Sequence, residues 1–347
     1  MLEEKAKDIV DIIGDYENNE MTVAHIVEWV SQFDEPDREF ILNELTGIFG
    51  KTYFSKAKCY KILKEYLEYL AGRFKYQSVK DFLGNAIFLD VQAEHKSQKD
   101  LLSMLDEILQ KEFKTQLALC GKNEPKHFIY LDDVLATGNK IFFDLEEWFK
   151  GTSNFDGSKT NYEFLKANKL RLNVCVICCH TWGYSNVDFR LSKLLNEKAE
   201  KVVEFFRYYE IENNLKEHDA KLNLVYPCDE QPNEVKLYLN SLEYAIYYED
   251  RAFRKKTFPK QETLFSSPEN RIRLENIFLM KGLEILKHVE NLKAKGMRPL
   301  GFTMPKNKTL GLGTLFFTYR NIPNNCPIIF WWSSNYWKPL FVLKNRG

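Results

Sequence analysis

Two adjacent carboxylates, Asp132 and Asp133, interrupt an otherwise apolar run, with Phe128-Ile129-Tyr130-Leu131 before them and Val134-Leu135 after. Neighbouring carboxylates accept hydrogen bonds from hydroxyl donors and can take a proton, so this pair is the natural place to look for chemistry. Ala136, Thr137, Gly138, Asn139 and Lys140 follow as a small-residue loop, and residues 141–149 then read as an amphipathic helix. A strand, a tight loop and a helix are expected in direct succession. An unbroken apolar run suits a parallel strand covered on both faces, and the carboxyl end of such a strand is where α/β folds place ligands. The loop would aim consecutive backbone N–H groups, together with the first turn of the helix, at one point. Such a point attracts phosphate.

The surrounding elements must position this segment. Upstream, residues 85–91 read as a strand, 92–99 as a loop and 100–113 as a helix with Leu101, Leu105, Ile108 and Leu109 on one face. Only residues 114–126 separate that helix from the carboxylate strand, leaving room for no more than a short strand at 116–120. Downstream, a helix at 139–150, a strand at 172–180, a helix from about 187 to 209 and a short strand at 222–226 are expected. Strands alternating with helices imply βαβ units, a mainly parallel sheet and right-handed crossovers. Residues 1–75 carry helical spacing, as in Ile26, Trp29, Val30 and Phe33, and predict a small helical bundle. Ser267-Pro268-Glu269 opens a long helix running to Gly296. Near the carboxyl terminus two strands are expected to flank Pro323-Asn324-Asn325-Cys326-Pro327. Asn324 and Asn325 offer amides there, and Trp331, Trp332 and Trp337 offer flat surfaces on which a base could stack; an aromatic core strand is the competing reading.

Composition narrows the function classes. With 347 residues, 44% of them hydrophobic, the chain can bury one large core or two smaller ones. Its 49 basic and 49 acidic residues cancel, so no global field draws it to nucleic acid or membrane. The one dense basic stretch, residues 251–260, interleaves Phe253 and Phe258 with Arg254, Lys255 and Lys256. Contact with single-stranded nucleic acid is one reading, and a solvated loop is the favoured one in a neutral chain. Met1-Leu2-Glu3-Glu4-Lys5 opens a charged amphipathic helix rather than a signal peptide, and no apolar run approaches the ~18 residues of a spanning helix. A cytosolic, membrane-free protein is expected. Seven scattered cysteines are no disulfide framework. Cys175, Cys178, Cys179 and His180 invite a metal reading, but they lie on one strand and no second Cys/His pair stands at a zinc-like spacing, so core packing and no protein-held metal are expected.

The central stretch resembles the phosphoribosyl-pyrophosphate signature of type I phosphoribosyltransferases: a hydrophobic strand, two acidic residues, two aliphatics, then Ala/Thr-Thr-Gly, any residue, Thr/Ser. Asp132 to Gly138 match position by position, and Lys140 stands where that family has Thr or Ser. The resemblance implies that Asp132 and Asp133 face the ribose 2′- and 3′-hydroxyls and serve as the catalytic pair, while Ala136, Thr137, Gly138, Asn139 and Lys140 hold the 5′-phosphate. Adjacent carboxylates suit two vicinal hydroxyl donors, and Thr137 adds a hydroxyl to the amide cradle. The resemblance further places Ser97, Gln98 and Lys99 at the pyrophosphate, with Ser97 as helix cap, and implies Mg²⁺ carried on phosphoribosyl pyrophosphate or a nucleotide. A longer hairpin that commonly closes over the substrate is missing between 113 and 127.

The carboxyl-terminal stretch looks like that of the phosphoribosyltransferase-like effectors of bacterial conflict and anti-phage systems, making Asn324, Asn325 and Trp331 base-side hood candidates. The expected fold is α/β, type I phosphoribosyltransferase-like (Rossmann-like), with a mainly parallel sheet. The expected organisation is a helical portion at 1–78, the α/β core at 79–265 and a helix and aromatic hood at 266–347. The implied function is an intracellular defence effector, working with a protein partner, that transfers or cleaves at ribose C1. A nucleotide-sensing module that has lost turnover is the alternative.

Overall fold

In chain order the elements are α1 (Leu2–Ile13), α2 (Val23–Val30), α3 (Glu35–Thr52), β1 (Tyr53–Phe54), α4 (Lys56–Arg73), α5 (Val79–Gly84), β2 (Ala86–Phe88) and α6 (Ser97–Phe113). There follow β3 (His127–Leu135), α7 (Asn139–Lys150), α8 (Asn161–Ala167), β4 (Arg171–His180), α9 (Thr181–Leu195) and β5 (Val203–Ile211). The remainder holds α10 (Asn233–Asn240), α11 (Pro268–Lys287) and β6 (Phe317–Thr318). The computed structural model describes residues 2–17, 20–94, 96–213, 221–243, 252–289, 292 and 294–343. Two compact units divide the chain, one spanning residues 57–210 and the other residues 1–56 with 211–347. The expected segments 1–78, 79–265 and 266–347 cut the chain differently: α4 belongs with the α/β elements, and both ends of the chain share a unit.

The α/β unit is built on a sheet of order β2-β3-β4-β5, in which β2, β3 and β4 run parallel. Ile129 stands opposite Asn173, and Asp132 opposite Val176. Phe128 and Tyr130 of β3 share one core with Leu172, Val174 and Val176 of β4 and with apolar residues of α7, α8 and α9, such as Leu145, Leu165 and Leu191. α6 packs on β3 but gives no residue to that core, which puts it on the other face. Both faces are covered, as an uninterrupted apolar strand requires.

Three elements differ from expectation. Residues 116–120 form a 3₁₀ turn at Leu117–Leu119 instead of a strand. The chain there turns back along α5 and β2, with Gly121, Asn123 and Lys126 donating their N–H groups to Leu83, Gly84 and Asn85. The helix expected at 187–209 is really α9 followed by β5: Asn196, in the left-handed conformation at φ 54°, ends the helix, and the aromatic run 205–209 favours a strand. Residues 222–226 form no strand.

The second unit contains α1, α2, α3, α10 and α11, with the two-residue strands β1 and β6 paired in parallel. Phe49, Phe317, Phe330 and Phe341 contact one another at its centre. The carboxyl-terminal segment is less regular than expected. Only Phe317–Thr318 is strand, Ile328–Phe330 is a 3₁₀ turn, and α11 stops at Lys287 rather than Gly296. Pro323 and Pro327 supply no N–H to a ladder, and the chain makes local turns from Cys326 to Pro323 and from Phe330 to Pro327. The basic stretch also departs from a solvated loop, because Arg254 is buried and pairs with the buried Glu275 at 2.7 Å. Lys256 pairs with Glu230, and Arg251 lies outside the described residues.

No cysteine among the described residues forms a disulfide, and Cys175, Cys178 and Cys179 are buried in β4. No group of three or more His, Cys, Asp or Glu among the described residues is placed to hold a metal ion. Among these residues no helix is long and apolar enough to cross a membrane.

Candidate functional site

The carboxyl end of β3 delivers Asp132 and Asp133 into two different environments. Asp132 is 3% exposed and points into the protein. Its Oδ1 accepts from the Ser97 hydroxyl at 2.7 Å and from the Asp133 backbone N–H at 2.9 Å. Its Oδ2 accepts from the Gln92 amide and from the Tyr130 hydroxyl, both at 3.1 Å. Burial, followed by the neighbouring charge of Asp133, pushes the Asp132 carboxyl up to about 7. Asp133 is nearly as buried, at 5% exposed, yet its side chain accepts no hydrogen bond from any described residue. Of the two carboxylates, Asp133 is the one with open acceptor positions.

A second buried carboxylate joins the network. Asp144 of α7 accepts from Tyr130 at 2.8 Å and from Gln92 at 3.0 Å, and pairs with Lys140 at 2.5 Å. Lys140, at the position where the resemblance leads one to expect Thr or Ser, is thus tied to its own helix four residues on. Its side chain is still 55% exposed. Gln92 and Tyr130 together bring three protons to two carboxylates, which accounts for burying both with a single lysine nearby.

The loop is held from behind. Gly138 has φ +78° and precedes α7, and a side chain there would meet Val187 Cγ2 at 2.2 Å and the Gly183 carbonyl at 2.9 Å. Gly183 of α9 is equally confined, since an added Cβ would lie 1.9 Å from the Ala136 carbonyl. Asn186 donates to the Thr137 carbonyl at 3.0 Å, and Arg190 donates to Asn139 Oδ1 at 2.7 Å while lying over the Phe142 ring. The backbone N–H groups of Thr137, Gly138, Asn139 and Lys140 reach no acceptor among the described residues. Consecutive unpaired amides at the start of a twelve-residue helix, with a left-handed residue among them, form a concave set of donors suited to an anion.

The upstream loop is used differently from expectation. Lys96, not Ser97, occupies the cap position of α6, and the Ser97 hydroxyl is spent on Asp132. Gln98 is fully buried; its Oε1 accepts from the N–H groups of Val91 and Gln92, and its Nε2 donates to the Leu131 carbonyl. Gln98 therefore shapes the loop that presents Gln92. Lys99 pairs with Asp90 at 2.8 Å and Glu94 at 3.2 Å, and His95 lies outside the described residues. In the other unit the Asn325 amide donates to the Phe302 carbonyl and Trp331 Nε1 to the Cys326 carbonyl, so the side-chain donors of both serve their own fold. Asn324 is the exposed member of the three.

Gln92, Asp144, Gly183, Asn186 and Arg190 escape a sequence reading confined to the motif. Asp144 carried a visible signal, because it falls on the same helical stripe as Ile141 and Leu145, and a carboxylate on an apolar stripe needs partners. Gln92 and Asn186 carried none.

Parallel strands covered on both faces, and a loop of open amides beside two carboxylates at a strand end, define an α/β protein of the phosphoribosyltransferase-like class. The chain matches the family model PRTase-CE over residues 26–342 and belongs to that phosphoribosyltransferase-like family. Comparison with curated proteins and with solved structures finds no match. Family membership points to a function of the phosphoribosyl-transfer type.

Proposed function

We propose that the chain binds the ribose 5-phosphate unit of phosphoribosyl pyrophosphate or of a nucleotide at loop 136–140 and promotes transfer or cleavage at ribose C1. The observation that carries this reading is the set of open N–H groups from Thr137 to Lys140 beside the open carboxylate of Asp133. The amides take the 5′-phosphate. The Asp133 carboxylate accepts from a ribose hydroxyl and faces the positive charge that develops at C1 as the bond to the leaving group stretches. Asp132 acts through position, since its oxygens are engaged by Ser97, Gln92, Tyr130 and the Asp133 amide. It fixes the backbone from which Asp133 projects. Little covalent work falls to the protein in such a reaction, and orientation with electrostatics supplies the rate.

Mg²⁺ carried on the pyrophosphate would supply neutralisation of the departing charge. The residues present suit it, because Asp133 offers unspent carboxylate oxygens of the kind Mg²⁺ takes. We propose an effector role in a defence system, with a protein partner from that system, on the strength of the carboxyl-terminal resemblance. One observation favours the alternative of a sensor without turnover: Ser97 and Gln98, expected at the pyrophosphate, are committed internally. Mass spectrometry of a nucleotide pool, with phosphoribosyl pyrophosphate and Mg²⁺, incubated with the protein separates the two. Pyrophosphate, free base or a new ribosylated species is expected, and their persistent absence alongside measurable ligand binding would leave the sensor.

A further inference from the structure

We infer that the α/β unit carries a second ligand site, for a nucleoside monophosphate, in a groove at the amino-terminal ends of β3 and β4. The groove, of about 980 Å³, lies where His127 and Arg171 begin their strands. Loop 136–140 is at the other end of β3, roughly 30 Å away at ~3.3 Å per strand residue. The site is therefore separate from the one proposed above and does not rest on it.

The decisive observation is a buried amide with an unmet acceptor. Asn173 lines the groove and is 1% exposed; its Nδ2 donates to the Phe128 carbonyl at 3.1 Å, while its Oδ1 has no hydrogen-bond partner. Exchanging the two amide atoms would set an oxygen against that carbonyl, so the orientation is fixed by its one bond. An orphaned buried acceptor costs on the order of 1–3 kcal/mol, and a ligand N–H removes that cost. An aromatic surface lies on the same face of the sheet, where Phe74 stacks on the His127 ring at 4.0 Å; Phe155 and Phe164, which pack on Phe128, line the groove from the opposite face. A flat heterocycle with a donor on its edge matches the Phe74–His127 wall and the acceptor together.

Charge supplies the rest of the description. Lys126, Lys169 and Arg171 stand exposed along the rim beside Glu124, and Arg171 also reaches Glu204 at 3.8 Å, which leaves the two lysines as the stronger part of the cationic rim. Lys169 forms no ion pair among the described residues, and the Lys126–Glu124 separation is 4.0 Å. His127 shares Nε2 with the Tyr76 hydroxyl, and burial, with Lys126 nearby, lowers it to about 4, so it adds no charge near neutrality. The rim is cationic and suits a phosphate.

The test is calorimetry on the full chain with AMP as probe, in excess ribose 5-phosphate so that a ribose-phosphate site at loop 136–140 is occupied. One equivalent of AMP should bind. Lys169→Ala with Arg171→Ala, both exposed, should weaken it about tenfold or more, and adenosine should bind wild type weaker by a similar factor. The ribotide of unsubstituted purine, which lacks the 6-amino donor, should also lose about tenfold in wild type and nothing further in a folded Asn173→Ala variant. Absence of AMP binding, or affinity unchanged by the rim substitutions, overturns the site. Failure of ribose 5-phosphate to bind by itself would count against loop 136–140 and leave this result standing.

Discussion

The Ser97 hydroxyl donates to Asp132 Oδ1 at 2.7 Å, joining the first turn of α6 to the carboxyl end of β3. One hydrogen bond thus links the loop expected to face pyrophosphate to the strand end expected to face ribose. Ser97→Ala leaves that oxygen with only the Asp133 N–H. Loss of about 1–2 kcal/mol in urea unfolding is expected, together with a further rise in the Asp132 pKa, followed by carboxyl NMR. An unchanged titration would mean that the contact is incidental.

Asp132→Asn should stabilise the protein above neutral pH. The folded carboxyl is raised to about 7 from 3.8, so the folded state holds a proton that the unfolded chain has released between those values. The associated stability is complete below the lower value and lost as pH rises through about 7. The three-unit span corresponds to an upper limit of roughly 4 kcal/mol. Asp133, Asp144 and Tyr130 face this group, with Lys140 behind Asp144. An asparagine can mimic the protonated acid there, and its amide can donate towards Tyr130 or Asp144. Melting temperatures should favour the variant at pH 8 and converge near pH 4; a variant less stable at every pH contradicts the network.

Lys140→Thr restores the residue that the resemblance leads one to expect and tests whether the lysine serves the ligand or the helix. The lysine is half exposed, so its pair with Asp144 contributes no more than about 1 kcal/mol. Urea unfolding should show a loss of that size, while ribose 5-phosphate affinity changes by less than about threefold. A loss of affinity beyond about tenfold would move Lys140 onto the phosphate.

Gly183→Ala should act at a distance through one carbonyl. Its new Cβ would sit 1.9 Å from the Ala136 oxygen, so loop and α9 must separate. Ribose-phosphate affinity should fall by about tenfold or more in a chain that still folds. Gly138→Val is a poorer probe, because its side chain would strike Val187 and the Gly183 carbonyl as well as adopt a strained φ.

The basic stretch gives a contrast. Arg254→Ala leaves Glu275 buried without one of its partners and should cost about 3–5 kcal/mol, whereas Lys255→Ala with Lys256→Ala should stay within about 0.5 kcal/mol. Equal effects in thermal unfolding would contradict the buried pair.

Much of this was legible in the residues. β3, loop 136–140, α7 and β4 follow from unbroken apolar runs, small loop residues and helical spacing, where local pattern and tertiary burial agree. The segment after Leu195 failed because Phe205, Phe206, Tyr208 and Tyr209 fit either period, and only the left-handed Asn196 decides between them. The unequal fates of Asp132 and Asp133 were out of reach for another reason. Adjacent residues look alike in sequence, and which one is spent depends on Gln92, Ser97 and Asp144, brought together only by folding.

Backbone amide NMR during titration with ribose 5-phosphate tests the central claim most directly. The account predicts saturable shifts concentrated on the N–H groups of Thr137, Gly138, Asn139 and Lys140, weakened by Asp133→Asn. Those four resonances remaining fixed at millimolar ligand would contradict it.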